Sequence, residues 1–124
     1  MSLAERSTLV KNFLLVALGG AAGSMLRYGI SLVAAALAWS PLWGTLSANV
    51  LGSFLIGLCM AACQSGSWQL LLVVGLCGGF TTFSTFSSQS LGLLQGGHLG
   101  TALLYMLGSM TLCLLSTWVG SKII

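Results

Sequence analysis

Charge is nearly missing from this sequence. Of 124 residues, four are Lys or Arg and one is Asp or Glu, a charged share of 4%. Soluble domains carry roughly a quarter. With 56% apolar residues and a mean hydropathy of +1.03, the chain has too little polar surface to cover itself in water. An ordinary soluble globule is excluded, and a polytopic membrane protein remains. A bilayer core of about 30 Å takes roughly 20 helical residues per crossing, so this length holds four crossings joined by short connectors.

Acid is scarcer still. The single carboxylate side chain, Glu5, precedes the first apolar run. No carboxylate is therefore available at membrane depth for proton relay, cation binding or acid–base catalysis. An enzyme is not expected. The sole histidine, His98, lies in a Gly-rich connector, and the four cysteines (Cys59, Cys63, Cys77, Cys113) all fall inside apolar stretches. They read as small hydrophobic residues, because no metal-ligand spacing forms. The net charge of +3 comes from Arg6, Lys11, Arg27 and Lys122. Three of these flank apolar segments, which points to the bilayer surface and not to nucleic acid. The first apolar run is too long for the core of a cleavable signal and is followed by further membrane-like segments.

What is present falls into four segments, at about 13–38, 42–63, 68–94 and 99–119, forming a single membrane domain. The connectors are short enough to make neighbouring helices antiparallel. Trp39, Trp43, Trp68 and Trp118 all lie at segment ends, where amphipathic rings settle at the membrane interface. An even number of crossings puts both termini, with Arg6, Lys11 and Lys122, on one side. That favours cytoplasmic termini, although a bias of three charges also permits insertion in both orientations. Small residues recur at helical spacing: Gly19 and Gly23, then Gly44, Ala48 and Gly52. Such faces let backbones approach closely, and a second copy of the chain is an economical way to bury them.

Polar groups in hydrocarbon must pair, line water or hold an ion. Thr45, Asn49 and Ser53 follow one another at i, i+4 and i+8, and Thr101, Tyr105 and Ser109 repeat that spacing in the fourth segment. The third segment adds Thr82, Ser84, Thr85, Ser88 and Gln89, with Phe83 and Phe86 three apart on one side. Each hydroxyl alone can bond back to its own helix. Three uncharged stripes together suit a wet track of hydrogen-bond donors, including the positive edges of Phe rings, for a small anion that must leave again. Gly78-Gly79 followed by Thr81-Thr82 predicts a helix interrupted near its middle. Its freed carbonyls either coordinate a cation or belong to a glycine kink at tight packing. Arg27, the one cation inside a segment, either snorkels to the interface or forms an electrostatic funnel for anions.

At these residues the sequence resembles the fluoride channel family, Fluc, also called CrcB. The matching stretches are Gly19-Gly20-Ala21-Ala22-Gly23 through Arg27-Tyr28, then Gly44-Thr45-Leu46 with Asn49, Gly52, Phe54 and Gly57, and above all GLCGGFTTFSTF from Gly75 to Phe86. Tyr105 and Ser109 add a weaker match. The resemblance implies a passive, fluoride-selective channel of the inner (plasma) membrane. It implies an all-α antiparallel, dual-topology homodimer of four-helix subunits, with the third helix broken near its middle. It implies that Asn49, Phe83 and Phe86 contact the ion, and that Thr45, Ser84, Thr85, Tyr105 and Ser109 line the track beside them. The backbone carbonyls of Gly78 and Thr81 from both subunits would hold a structural Na⁺, and Arg27 would lie near a vestibule. Cys113 departs from the pattern, standing where another hydroxyl would continue the fourth stripe.

Two other classes fit the length. A four-helix proton-coupled multidrug antiporter needs an intramembrane Glu, and the only Glu here precedes the first segment. A non-transporting accessory subunit would account for the small-residue faces but not for three donor stripes.

Overall fold

The computed structural model describes residues 1–124, all helical apart from connectors. α1 (Leu3–Ala36) and α2 (Pro41–Ala62) form the first two spans. A π-helical segment (Gln69–Cys77), a single turn α3 (Gly78–Phe80) and α4 (Phe83–Gln95) form the third, and α5 (Leu99–Ile123) the fourth. All four are long and apolar enough to cross a membrane. The chain is thus a four-span, multi-pass membrane protein.

Helix starts follow local chemistry. α1 begins at Leu3, ten residues ahead of the apolar run, because Ser2 and Glu5 close a reciprocal capping box over its first turn. The carboxylate absent from the membrane is thus engaged at a helix end. α2 starts with Ser40 as N-cap, accepting from the Leu42 N–H, and Pro41 in the first turn, where its missing N–H costs nothing. Gly66 and Gly97 supply left-handed backbone in the second and third connectors, at φ 87° and 78°. α5 runs four residues past its apolar stretch and carries Lys122 in its last turn, where a cation complements the helix dipole. The four tryptophans stand exposed at span ends.

The helices pair by glycine contact. α2 lies mainly on α5, and α1 on the π segment and α3. A side chain at Gly57 would overlap the Thr117 carbonyl of α5, and one at Gly120 the Phe54 carbonyl of α2. On the other seam a Cβ at Gly75 would meet Gly19 Cα at 2.9 Å. Backbones meet without intervening side chains, as expected where lipid gives no hydrophobic drive and dispersion over close surfaces must hold spans together. The single subunit buries only 16 of 124 residues, so most of its apolar surface faces lipid or another molecule.

The third span changes character at Thr81 and Thr82. Of the Gly78-Gly79 and Thr81-Thr82 pairs that the sequence offers for the interruption, the glycines are helical, and the extended residues are Thr81 (φ −82°, ψ 154°) and Thr82 (φ −145°, ψ 115°). Both are β-branched and favour this region. Thr82 is also the N-cap of α4: its hydroxyl accepts from the Thr85 N–H at 3.2 Å.

Candidate functional site

Two extended residues leave backbone groups without helical partners, and α2 answers part of that need. Asn49 meets Thr82 edge to edge: the Thr82 N–H donates to Asn49 Oδ1 at 2.8 Å, and Asn49 Nδ2 donates to the Thr82 carbonyl at 3.1 Å. Because one amide edge faces a donor and the other an acceptor, the orientation of the side chain is fixed by its partners. One amide hydrogen remains for another acceptor. Thr81 closes the helix below, its N–H and its hydroxyl both donating to the Cys77 carbonyl, at 3.0 and 2.9 Å. On the α1 side Arg27 Nε donates to the Gly79 carbonyl at 3.2 Å. The guanidinium is half-buried and is a clasp on the third span, a contact that the sequence does not announce.

Two carbonyls are left over. The Thr82 N–H, which would reach the Gly78 carbonyl in a continuous helix, is turned to Asn49, and the Thr81 carbonyl accepts no hydrogen bond. Gly78 is exposed on the surface of the subunit. These two oxygens are the ones expected to hold Na⁺, and their chemistry fits: hard, neutral and not engaged within the chain.

Beside the break an open groove of about 280 Å³ runs between α2, α4 and α5. Asn49, Ser53, Thr82, Phe83, Phe86 and Ser109 contribute to its lining, together with Thr81 and Cys113. The rings of Phe83 and Phe86 are 5.5 Å apart and tilted by 41°, and Phe86 lies 5.3 Å from Tyr105 at 37°. Phe83 is 78% exposed in the single subunit.

The donors divide into two groups. Engaged are Thr81, Ser90, Thr117 and Ser116, each on a backbone carbonyl; Ser116 reaches across to Val50 of α2 at 2.8 Å. Tyr105 is engaged too, its hydroxyl donating to Gln89 Oε1 at 2.7 Å, while Gln89 Nε2 reaches the Pro41 carbonyl at 3.4 Å. Unengaged are Ser53 and Ser109, and Thr85, whose oxygen accepts from Thr82 and whose own proton is free. Ser109 is the outlier. It is 6% exposed, and its Oγ is the one buried side-chain polar atom with no partner. A native fold rarely leaves such an atom idle without a reason.

Of the residues singled out by sequence, Asn49, Phe83, Phe86 and Ser109 share the groove. Tyr105 lines a second, more apolar groove of about 390 Å³ between α2 and α5, and Ser109 borders both. Thr45 is buried one turn before Asn49. Ser84 and Thr85 stand behind the groove, in the hydroxyl cluster around Thr82. Arg27 lies on the α1 side of the break, away from this groove. Gln89 and Gly52 take larger parts than their sequence context suggests. A Gln in a membrane span was the available signal for the first; the second stood only in a stripe of small residues on α2.

Four apolar spans, with an uncharged polar groove between three of them and carbonyls freed at a break in one, define a small polytopic membrane protein. The comparisons say what it is similar to. A family profile described as CrcB-like protein, Camphor Resistance (CrcB), matches residues 14–121. The chain is 50% identical over 119 residues to a fluoride-specific ion channel FluC of Thermus thermophilus, covering 92% of this chain and 94% of that one. Proteins of the same name from Paramagnetospirillum magneticum and Geobacter sulfurreducens are 47% and 45% identical over 117 and 113 residues. These alignments cover 87% and 86% of this chain, and 91% of each relative. The chain belongs to the CrcB family.

Proposed function

We propose that this protein is a passive fluoride channel of the inner membrane, exporting cytoplasmic fluoride down its electrochemical gradient. The observation that carries the reading is the groove at the break, lined together by Asn49, which keeps one amide hydrogen unused, and by Ser109, Phe83 and Phe86. The relatives named fluoride-specific ion channel support it. An ion channel needs no reaction centre, and the chain is not an enzyme.

Fluoride is small and holds its water tightly. A pore that admits it must replace that shell with several hard donors, yet bind weakly enough to let the ion go. Neutral donors meet both conditions, since a fixed cation beside the ion would trap it. The spans hold no carboxylate to repel an anion, Glu5 being at the α1 cap. Asn49 donates with its remaining hydrogen while the rest of its amide is held by Thr82, so the donor is oriented before the ion arrives. Phe86 is oriented by Tyr105, whose hydroxyl is fixed in turn by Gln89. Thr45, Ser84 and Thr85 extend the polar lining beyond the ring pair. Arg27, near a vestibule, adds positive potential from behind the break.

The working unit in this reading is an antiparallel homodimer with subunits in both orientations. Phe83, Ser84, Ser87 and Ser88 are exposed on the single subunit at membrane depth, and hydroxyls turned to lipid are costly, so this face calls for a cover. Inverting the second copy brings the two breaks to the same depth. The carbonyls of Gly78 and Thr81 from both copies would then hold a structural Na⁺, whose charge would offset their converging dipoles. The deciding experiment is efflux from liposomes containing the purified chain: fluoride leaves and chloride stays. Equal passage of both anions, or of neither, would refute the proposal.

A further inference from the structure

Asn49 and Gly52 are three residues apart on α2, hence on one face, and both meet the break. Asn49 grips Thr82. Gly52 is buried and faces Thr81: a Cβ built on it would overlap the Thr81 Cγ2 methyl, and would lie 3.1 Å from Phe80 Cδ1 and 3.6 Å from Thr81 Cβ. Most close-packed glycines in this chain abut backbone of a regular helix. Here the obstacle is a side chain of the break itself, and it has nowhere to turn. Thr81 is β-branched, with few χ1 choices. Its hydroxyl is tied to the Cys77 carbonyl at 2.9 Å, so rotating the methyl away gives up that bond. Its backbone is tied on both sides, by its own N–H to Cys77 and by the Thr82 N–H to Asn49. A displaced methyl therefore drags the Thr81 carbonyl with it.

We infer that Gly52 is a positioning residue for the break: its bare Cα is the socket for the Thr81 methyl, and this fit sets where the unengaged Thr81 carbonyl points. The inference rests on the fluoride-channel reading and on Na⁺ as the carbonyl ligand, and adds to them the residue that sets the carbonyl's direction. Gly52→Ala fills the socket. Thr81→Ser removes the methyl and keeps the hydroxyl that bonds Cys77, so the pair form a size-compensation cycle.

Two readouts are taken on the full-length chain for wild type, both single variants and the double variant. One is fluoride efflux from liposomes; the other is the Na⁺ concentration giving half of the maximal thermal stabilisation in detergent, with N-methylglucamine as the replacing cation. Gly52→Ala lowers efflux at least tenfold and raises the half-stabilising Na⁺ concentration at least tenfold, a shift that loosened packing elsewhere would not produce. The double variant returns both values to those of Thr81→Ser alone. Should Gly52→Ala fail to fold, recovery of folded protein in the double variant supports the socket. A Gly52→Ala chain matching wild type overturns it, and so does a double variant as impaired as Gly52→Ala or equally unfolded. If wild type passes no fluoride, the channel reading fails, while the Na⁺ titrations still judge the socket. A wild type with neither fluoride passage nor Na⁺ response overturns both.

Discussion

Replacing Asn49 by Ala tests whether its amide is structural, functional or both. The substitution strips two hydrogen bonds from Thr82, at 2.8 and 3.1 Å, and leaves an N–H and a carbonyl of an extended residue without partners. In pure hydrocarbon each orphaned group would cost several kcal/mol. Two facts reduce that figure. Thr82 is half-buried and borders an open groove, so water reaches part of it. Interhelical hydrogen bonds measured in membranes average about 0.6 kcal/mol and reach about 1.7, because the unfolded chain in the bilayer also finds partners. For two bonds the expected loss is about 1–3 kcal/mol, read from reversible denaturation of the purified protein. Fluoride efflux falls further than this loss explains, because the remaining amide hydrogen disappears too. Asn49→Asp tests the donor: it still accepts from the Thr82 N–H, yet it presents a negative charge, no donor and a second oxygen against the Thr82 carbonyl. Its stability should fall as well, and its efflux should drop to background. An Asn49→Ala protein within about 0.5 kcal/mol of wild type would refute the clasp, since that is the scatter of an ordinary surface substitution. Wild-type efflux in Asn49→Asp would refute the donor role.

Three further outcomes are expected. Phe83→Ile and Phe86→Ile cut fluoride efflux with the wild-type elution volume kept on size-exclusion chromatography, because a branched aliphatic has no positive ring edge; undiminished efflux removes the rings from the pathway. Ser109→Ala leaves stability unchanged or slightly raised, since its hydroxyl has no partner to lose, but slows efflux, whereas Ser116→Ala loses the bond to Val50, costs about 1 kcal/mol and leaves efflux alone. Reversal of this pattern would place the track elsewhere. Exchanging Na⁺ for N-methylglucamine lowers the thermal midpoint of the purified protein, and an unmoved midpoint would leave the freed carbonyls of Gly78 and Thr81 without that role.

The four spans were legible because apolar runs with Trp at their ends admit few other readings. The start of α1 was not, since the Ser2–Glu5 capping box extends the helix into a stretch whose composition resembles a tail. Composition pointed to Gly78-Gly79 and Thr81-Thr82 together as the interruption. In the structure glycine at 79 accommodates close contact with α1, and the extended backbone falls to Thr81 and Thr82, where Asn49 and the α4 cap stabilise it. Spacing identified separate polar stripes, Asn49 in one and Ser109 in another, because i, i+4 periodicity reports a shared helix face; joining them with Phe83 and Phe86 came from the family resemblance, and all four line the groove. Spacing could not tell engaged hydroxyls from idle ones: Ser116 and Ser109 look alike in sequence, and only the distance to a neighbouring helix separates them. Nor could it pair Arg27 with Gly79, a contact across 52 residues that depends on how α1 is rotated.

The contacts at Gly19–Gly75 and Gly57–Gly120 bear on how anything could cross this molecule. Carriers work by rocking one bundle against another, which requires a seam that can slide. Where carbonyl oxygens already occupy the place of a methyl group, no such lubricated surface exists, and each pair of spans behaves as one welded beam. The freedom left belongs to hydroxyl rotors and side chains, which reorient in picoseconds to nanoseconds. The close seams thus leave side chains, and not the sliding of one span on another, as the moving parts of the subunit.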